Sequence, residues 1–144
     1  MTDIRQISVF LENRSGTLSE ITRLLAESGV NLRALSLADS ADYGVLRLIA
    51  DNAEKATEIL NRNGFIVSLT PVTVISVPDE PSGLSGVLEI LAEGGVDIEY
   101  IYSLFTHQNG KAYMVFRIAD ETKFMELITA HQMKIANKDE LGLC

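Results

Sequence analysis

The residues best suited to chemistry in this chain are two asparagines and the glycine turns near them. Asn13 offers one acceptor and two donors just before Ser15 and Gly16, and an amphipathic run begins at Thr17 and Leu18. Free N–H groups at a helix start, helped by the helix dipole, favour an anionic group such as a carboxylate. A glycine there removes the side chain that would block close approach. Asn31, followed by Leu32, opens the strand after that helix and is expected to converge on the same spot. The same succession recurs later as Asp79, Ser82, Gly83 and Leu84, with Asp97 at the place of Asn31. Backbone amides for a carboxylate, side-chain amides and flanking apolar residues suit a zwitterionic amino acid. The alternative is that Asn13 only caps a turn and Asn31 only leaves a helix.

Other reactive residue types lead nowhere. His107 and His131 have no second histidine or cysteine at ligand spacing, so no metal site is expected. Cys144 is the only cysteine, and a catalytic thiol needs a nearby base. Residues 83–86 lack the Gly-Lys-Ser/Thr ending of a phosphate loop. No nucleophile has a paired base, so the reading is a non-enzyme with no cofactor.

The elements that position the two corners follow from an internal repeat, which is sought first because it decides architecture. Residues 7–35 lie over residues 73–101 without a gap, and residues 48–51 match residues 117–120 if the second copy carries three extra residues. Ile7, Val9 and Leu11 keep the period of two of a half-buried strand, as do Thr73, Ile75 and Val77. Leu18, Ile21, Leu24 and Leu25 then fall at helical spacing, as do Leu84, Val87, Leu88 and Leu91. Thr17 and Glu20 have the spacing of a capping box, and Gly29 and Gly95 suit helix ends. Hairpins are expected over residues 30–50, turning at 42–44, and over residues 96–118, turning at 107–110. A second helix and a last strand close each copy.

The order is βαββαβ twice. It predicts an α+β fold of two ferredoxin-like modules, residues 1–70 and 71–144, each an antiparallel sheet with both helices on one face. Modules of this size have a marginal core alone. Phe10, Leu35, Leu37 and Val74 are expected on the other face of the sheets, and a homodimer is expected. Tyr100 and Tyr102 share one strand face.

Composition agrees. The chain has 144 residues, 47% of them apolar, with a net charge of −8, so a disordered chain is excluded. Its 12 basic residues against 20 acidic ones are scattered, which argues against nucleic acid or an anionic membrane as partner. No apolar run spans a bilayer, and neither a secretory signal nor an internal disulfide is expected, which favours the cytoplasm.

The string Glu12-Asn-Arg-Ser-Gly-Thr-Leu18, followed by Ala26-Glu-Ser-Gly-Val-Asn-Leu32, resembles the ACT domain, a small-molecule regulatory module of amino-acid metabolism. The first copy is most similar to the serine-sensing ACT domain of phosphoglycerate dehydrogenase. The resemblance implies that Asn13 and Asn31 contact a free amino-acid effector, and that the target is a separate metabolic enzyme. Leu11 stands where the serine-sensing pattern has a histidine, which implies a more apolar effector as readily as serine. Ser15 and Ser82 depart from the proline and glycine of the pattern, and Asp79 and Asp97 replace its asparagines. The resemblance thus implies a main site on the first copy, lined by the second. A regulatory subunit held on a biosynthetic enzyme, or a purely structural dimerisation module, are the other readings.

Overall fold

The computed structural model describes residues 4–12, 14–39 and 43–143. Asn13, Asp42 and Cys144 lie outside the described residues. In chain order the elements are β1 (Arg5–Glu12), α1 (Thr17–Glu27), β2 (Leu32–Asp39), β3 (Tyr43–Ala50), α2 (Ala53–Arg62) and β4 (Ile66–Pro71). They are followed by β5 (Thr73–Pro78), α3 (Gly83–Glu93), β6 (Ile98–Gln108), β7 (Lys111–Ile118), α4 (Glu121–Ala130), β8 (Lys134–Ile135) and α5 (Lys138–Leu141). The chain divides into two compact units: residues 5–71 with 138–143, and residue 4 with 72–137. The terminal helix α5, which the sequence reading lacks, therefore belongs with the first βαββαβ set, and its Leu141 is buried.

In the first unit the sheet order is β2-β3-β1-β4, and in the second it is β6-β7-β5-β8, antiparallel throughout. Ile7 and Val9 of β1 and Leu46 and Leu48 of β3 join Ile21 and Leu25 of α1 and Ile59 and Leu60 of α2 in one core. Both helices therefore lie on one face of the sheet. The second unit repeats this with Ile75, Val77, Phe116 and Ile118 under Val87, Leu91, Phe124 and Ile128. Non-polar burial of this kind is the main term that holds such a unit together.

Helix ends follow local chemistry. Asn52 and Asp120 cap α2 and α4, each accepting from the backbone N–H three residues on. Gly29 and Gly95 take the left-handed conformation after α1 and α3, with φ of 77° and 71°. The Thr17–Glu20 capping box does not form. Gly16 is the N-cap residue, and Thr17 is the first residue of α1, buried in the unit.

Four further expectations change. Ile7 pairs with Leu48 and Thr73 pairs with Phe116, so the second copy carries two extra residues before its third strand, not three. Asp120 then corresponds to the capping Asn52, which the match to Asp51 missed. Tyr43 and Gly44, expected in the first hairpin turn, lie inside β3. The second turns at Asn109 and Gly110, both with positive φ, the two-residue form that matches strand twist; His107 and Gln108 are strand. Finally, a register shift between Leu32 and Ala34 brings Leu35 opposite Leu48 and Leu37 opposite Leu46. One extra residue reverses the facing of everything beyond it, so Leu35 and Leu37 turn to the helix side. Phe10 and Val74 keep the other face, with Phe10 exposed and Val74 buried. Tyr100 and Tyr102 share that face of β6, opposite Arg117 and Val115, with ring centroids 6.4 Å apart.

Candidate functional site

The first corner joins β1 to α1. The Arg14 N–H donates to the Glu12 carbonyl, the Thr17 N–H to the Arg14 carbonyl and the Glu20 N–H to the Gly16 carbonyl, which closes one turn and starts the helix. Gly16 has φ of 88°, a conformation that L side chains rarely adopt. Nothing lies within 4 Å of the place a Cβ would take. Gly16, the N-cap residue, has no side chain with which to cap α1; Ser15 and Gly16 are exposed and Leu18 packs partly onto the core. Leu11 packs onto the same core. Arg14, which the sequence reading passed over, adds an exposed guanidinium 3.4 Å from Glu12; it is the one cation of the turn string.

The second corner has the same path and a different content. Its Gly83 is buried, and a Cβ there would run into the Pro78 carbonyl, with the carbonyl carbon 2.9 Å away. The glycine therefore serves the close approach of its own strand end, and the expectation that Gly83 opens a path for a ligand is corrected. The Asp79 N–H donates to the Gly110 carbonyl at 2.8 Å, and its carboxylate stands 3.6 Å from His107 Nδ1. The β6–β7 hairpin thus closes on this corner. Ser82 is the N-cap of α3 but makes no side-chain cap bond; its carbonyl accepts from Gly86. Leu84 is half-buried.

Asn31 and Leu32 do not reach the first corner within their own unit. Leu11 pairs with Gly44 and Asp39 also pairs with Gly44, so the corner lies at that end of the sheet. Leu32 pairs with Ala50, six strand residues away, or about 20 Å. An α-helix that follows a strand and packs antiparallel to it returns the chain to the strand's starting end, which is why convergence fails. There Asn31 is held by its backbone: its N–H donates to Asp51 Oδ1 at 3.0 Å and its carbonyl accepts from the Asp51 N–H at 2.9 Å. Asp97 precedes Ile98, which pairs with Ile118, and so lies at the corresponding far end of its own sheet.

That far end of the first unit also holds a polar cleft of about 320 Å³ lined by Arg5, Asn52, Ala53, Glu54 and Lys138. Arg5 is already paired with Glu54 at 3.2 Å. Among the described residues no three His, Cys, Asp or Glu side chains gather as a metal site, and no helix is long and apolar enough to cross a membrane.

Two βαββαβ units, each a four-stranded antiparallel sheet under two helices with a glycine corner after its first strand, define the ferredoxin-like α+β class. The chain belongs to the ACT domain pair family, which matches residues 1–143. Among solved structures, protein BT0572 from Bacteroides thetaiotaomicron is 39% identical, with 96% of this chain and 95% of that chain covered and a TM-score of 0.86. The regulatory subunit of aspartate kinase from Thermus thermophilus, in its ligand-free form, is 20% identical over 92% of this chain and 95% of that one, with a TM-score of 0.65. The corresponding subunit from Thermus flavus is also 20% identical, over 92% and 93%, with a TM-score of 0.61. These last two likenesses are of fold. No curated protein matches the sequence.

Proposed function

We propose that this protein is a non-catalytic amino-acid sensor whose effector seats its carboxylate on the first turn of α1, at Ser15, Gly16, Thr17 and Leu18. The observation that carries this reading is the contrast between the corners: the space beside Gly16 is open, whereas that beside Gly83 is filled by the Pro78 carbonyl. Exposed first-turn amides attract an anion, and Arg14 adds positive charge beside them. Leu11 and Leu18, both half-buried, favour an effector with an apolar side chain. Asn13 is the side chain assigned to a charged group of the effector. Since Asn31 lies about 20 Å from the corner of its own sheet, an effector that touches both asparagines takes Asn31 from another ACT module.

A thermal-shift screen over the twenty amino acids tests the reading. A ligand that binds only the native state raises stability by ~2.7 kcal/mol at 100 times its dissociation constant. At least one amino acid, expected among the apolar ones, should raise the melting temperature, and Asn13→Ala should weaken its binding by about 1–3 kcal/mol. A flat screen sinks the sensor; a positive screen with an unchanged Asn13→Ala isotherm removes Asn13 from the site.

A second reading, the regulatory subunit of a separate biosynthetic enzyme, is supported by the two Thermus chains, which are regulatory subunits of aspartate kinase of similar extent. Association with a catalytic chain at stoichiometric ratio, measured by co-purification from the source cells, distinguishes it from a free sensor.

A further inference from the structure

We propose that the polar cleft at the far end of the first unit binds a free acidic amino acid, aspartate or glutamate, by meeting each of its charges with an opposite one. The cleft forms where three elements begin: Arg5 opens β1, Ala53 opens α2 and Lys138 opens α5. All of its lining residues belong to one compact unit. Its volume of about 320 Å³ lies at the small end of the range for ligand sites. Arg5 starts β1, whereas Leu11, beside the first corner, lies near its end. The cleft is therefore a separate site from the corner assigned above.

Its charged groups are two cations and one carboxylate. Arg5 Nη2 stands 3.2 Å from Glu54 Oε1, with the two side chains 38% and 80% exposed. An ion pair so open to water contributes little, and the guanidinium has further N–H donors to give. Lys138 is half-buried, and its ammonium forms no ion pair among the described residues. Asn52 Oδ1 accepts from the Lys55 N–H, which leaves the Nδ2 donors of Asn52 for a ligand.

Arg5 and Lys138 against Glu54 leave the cleft with one net positive charge. Aspartate and glutamate carry the complement, two carboxylates and one ammonium. One carboxylate pairs with the Arg5 guanidinium, whose fork suits it, the other with Lys138, and the ammonium with Glu54. An amino acid with one carboxylate leaves a cation unused. A dicarboxylate without an amine faces Glu54 as a like charge. The repeat supplies a contrast. The offset that lays Ile7 over Thr73 lays Arg5 over Pro71, and Asn52, Ala53 and Glu54 correspond to Asp120, Glu121 and Thr122. None of these residues of the second copy is a cation, so the charge set is peculiar to the first unit and is not imposed by the βαββαβ order.

The test is calorimetric titration of the full chain with L-aspartate, L-glutamate and their amine-free analogues succinate and glutarate. At least one of the two amino acids should bind saturably, and its analogue about tenfold or more weakly. Lys138→Gln should weaken that amino acid about tenfold or more. Leu141, the buried residue of α5, is untouched, so the variant should fold. Glu54→Gln should close the gap between the amino acid and its analogue. Asn13→Ala, which alters the first corner, should leave the isotherm unchanged, so this site stands or falls apart from the sensor reading. No saturable binding of either amino acid up to about 10 mM, an isotherm unmoved by Lys138→Gln, or an analogue that binds as well as its amino acid overturns the proposal. Loss of binding in Asn13→Ala overturns it as well, by moving the ligand to the first corner.

Discussion

Alanine at Gly83 places a methyl group against the backbone of the preceding strand. The carbonyl of Pro78 stands in its way, with the carbonyl carbon 2.9 Å from the new Cβ and the Cα 3.5 Å away. Because these atoms end β5 and open the turn to α3, they have no side-chain torsion by which to move aside. Overpacking of a tight site costs about 1–3 kcal/mol, and a backbone obstacle belongs at the upper end. Alanine recovers at most about 1 kcal/mol through helix propensity, so the net loss is about 2 kcal/mol, or a fall in melting temperature of about 8 °C. Gly86, three residues on in the same helix, has nothing within 4 Å of its Cβ place. Gly86→Ala should therefore stabilise by up to about 1 kcal/mol. Gly16→Ala falls between them: its surroundings are empty, but φ of 88° costs an L residue about 1 kcal/mol. Thermal unfolding followed by far-UV circular dichroism orders the variants as Gly86→Ala, wild type, Gly16→Ala, Gly83→Ala. If Gly83→Ala melts at or above the wild type, the close approach that separates the two corners does not exist, and the case for the first corner as the binding site loses its main support.

Capping should be worth the same in both units: Asn52→Ala and Asp120→Ala each lose one side-chain bond to a first-turn amide and should each cost about 1 kcal/mol in denaturant unfolding. Phe124→Ala removes a buried ring whose centroid lies 5.9 Å from that of Phe116, and should cost about 3–5 kcal/mol. Phe105→Ala, at an exposed residue, should stay within about 0.5 kcal/mol. Arg62→Ala breaks an exposed pair with Glu58 at 2.8 Å and should be barely measurable, at most about 0.5 kcal/mol; a large loss would show that the pair is held more rigidly than its exposure suggests.

The duplicated βαββαβ order was legible because its signals are local. Ile7, Val9 and Leu11 alternate within five residues, and Leu18, Ile21 and Leu25 repeat within eight. The glycines after α1 and α3 sit where a left-handed residue is needed, and their φ values agree. Signals that depend on a single extra residue were not legible. The shift at β2 turned Leu35 and Leu37 to the helix side, and the true offset between the copies hid behind a match of identical letters at Asp51 and Asp120. The helix α5 is only four residues long, too short for a period to declare itself.

What the chain's order of residues determined alone is therefore the set of elements, their sequence and the presence of two glycine corners. Each of these follows from interactions among neighbours a few positions apart, which periodicity and turn chemistry record directly. Tertiary structure decided the rest. Gly16 and Gly83 look alike as letters, but in the folded chain the Pro78 carbonyl fills one of the two spaces. Asn31 looks near the first corner along the chain, yet the antiparallel ladder puts Leu32, the next residue, at the end of the sheet opposite Leu11. Direction of approach and distance across a sheet arise from how elements pack, and no window of sequence contains both partners of such a contact.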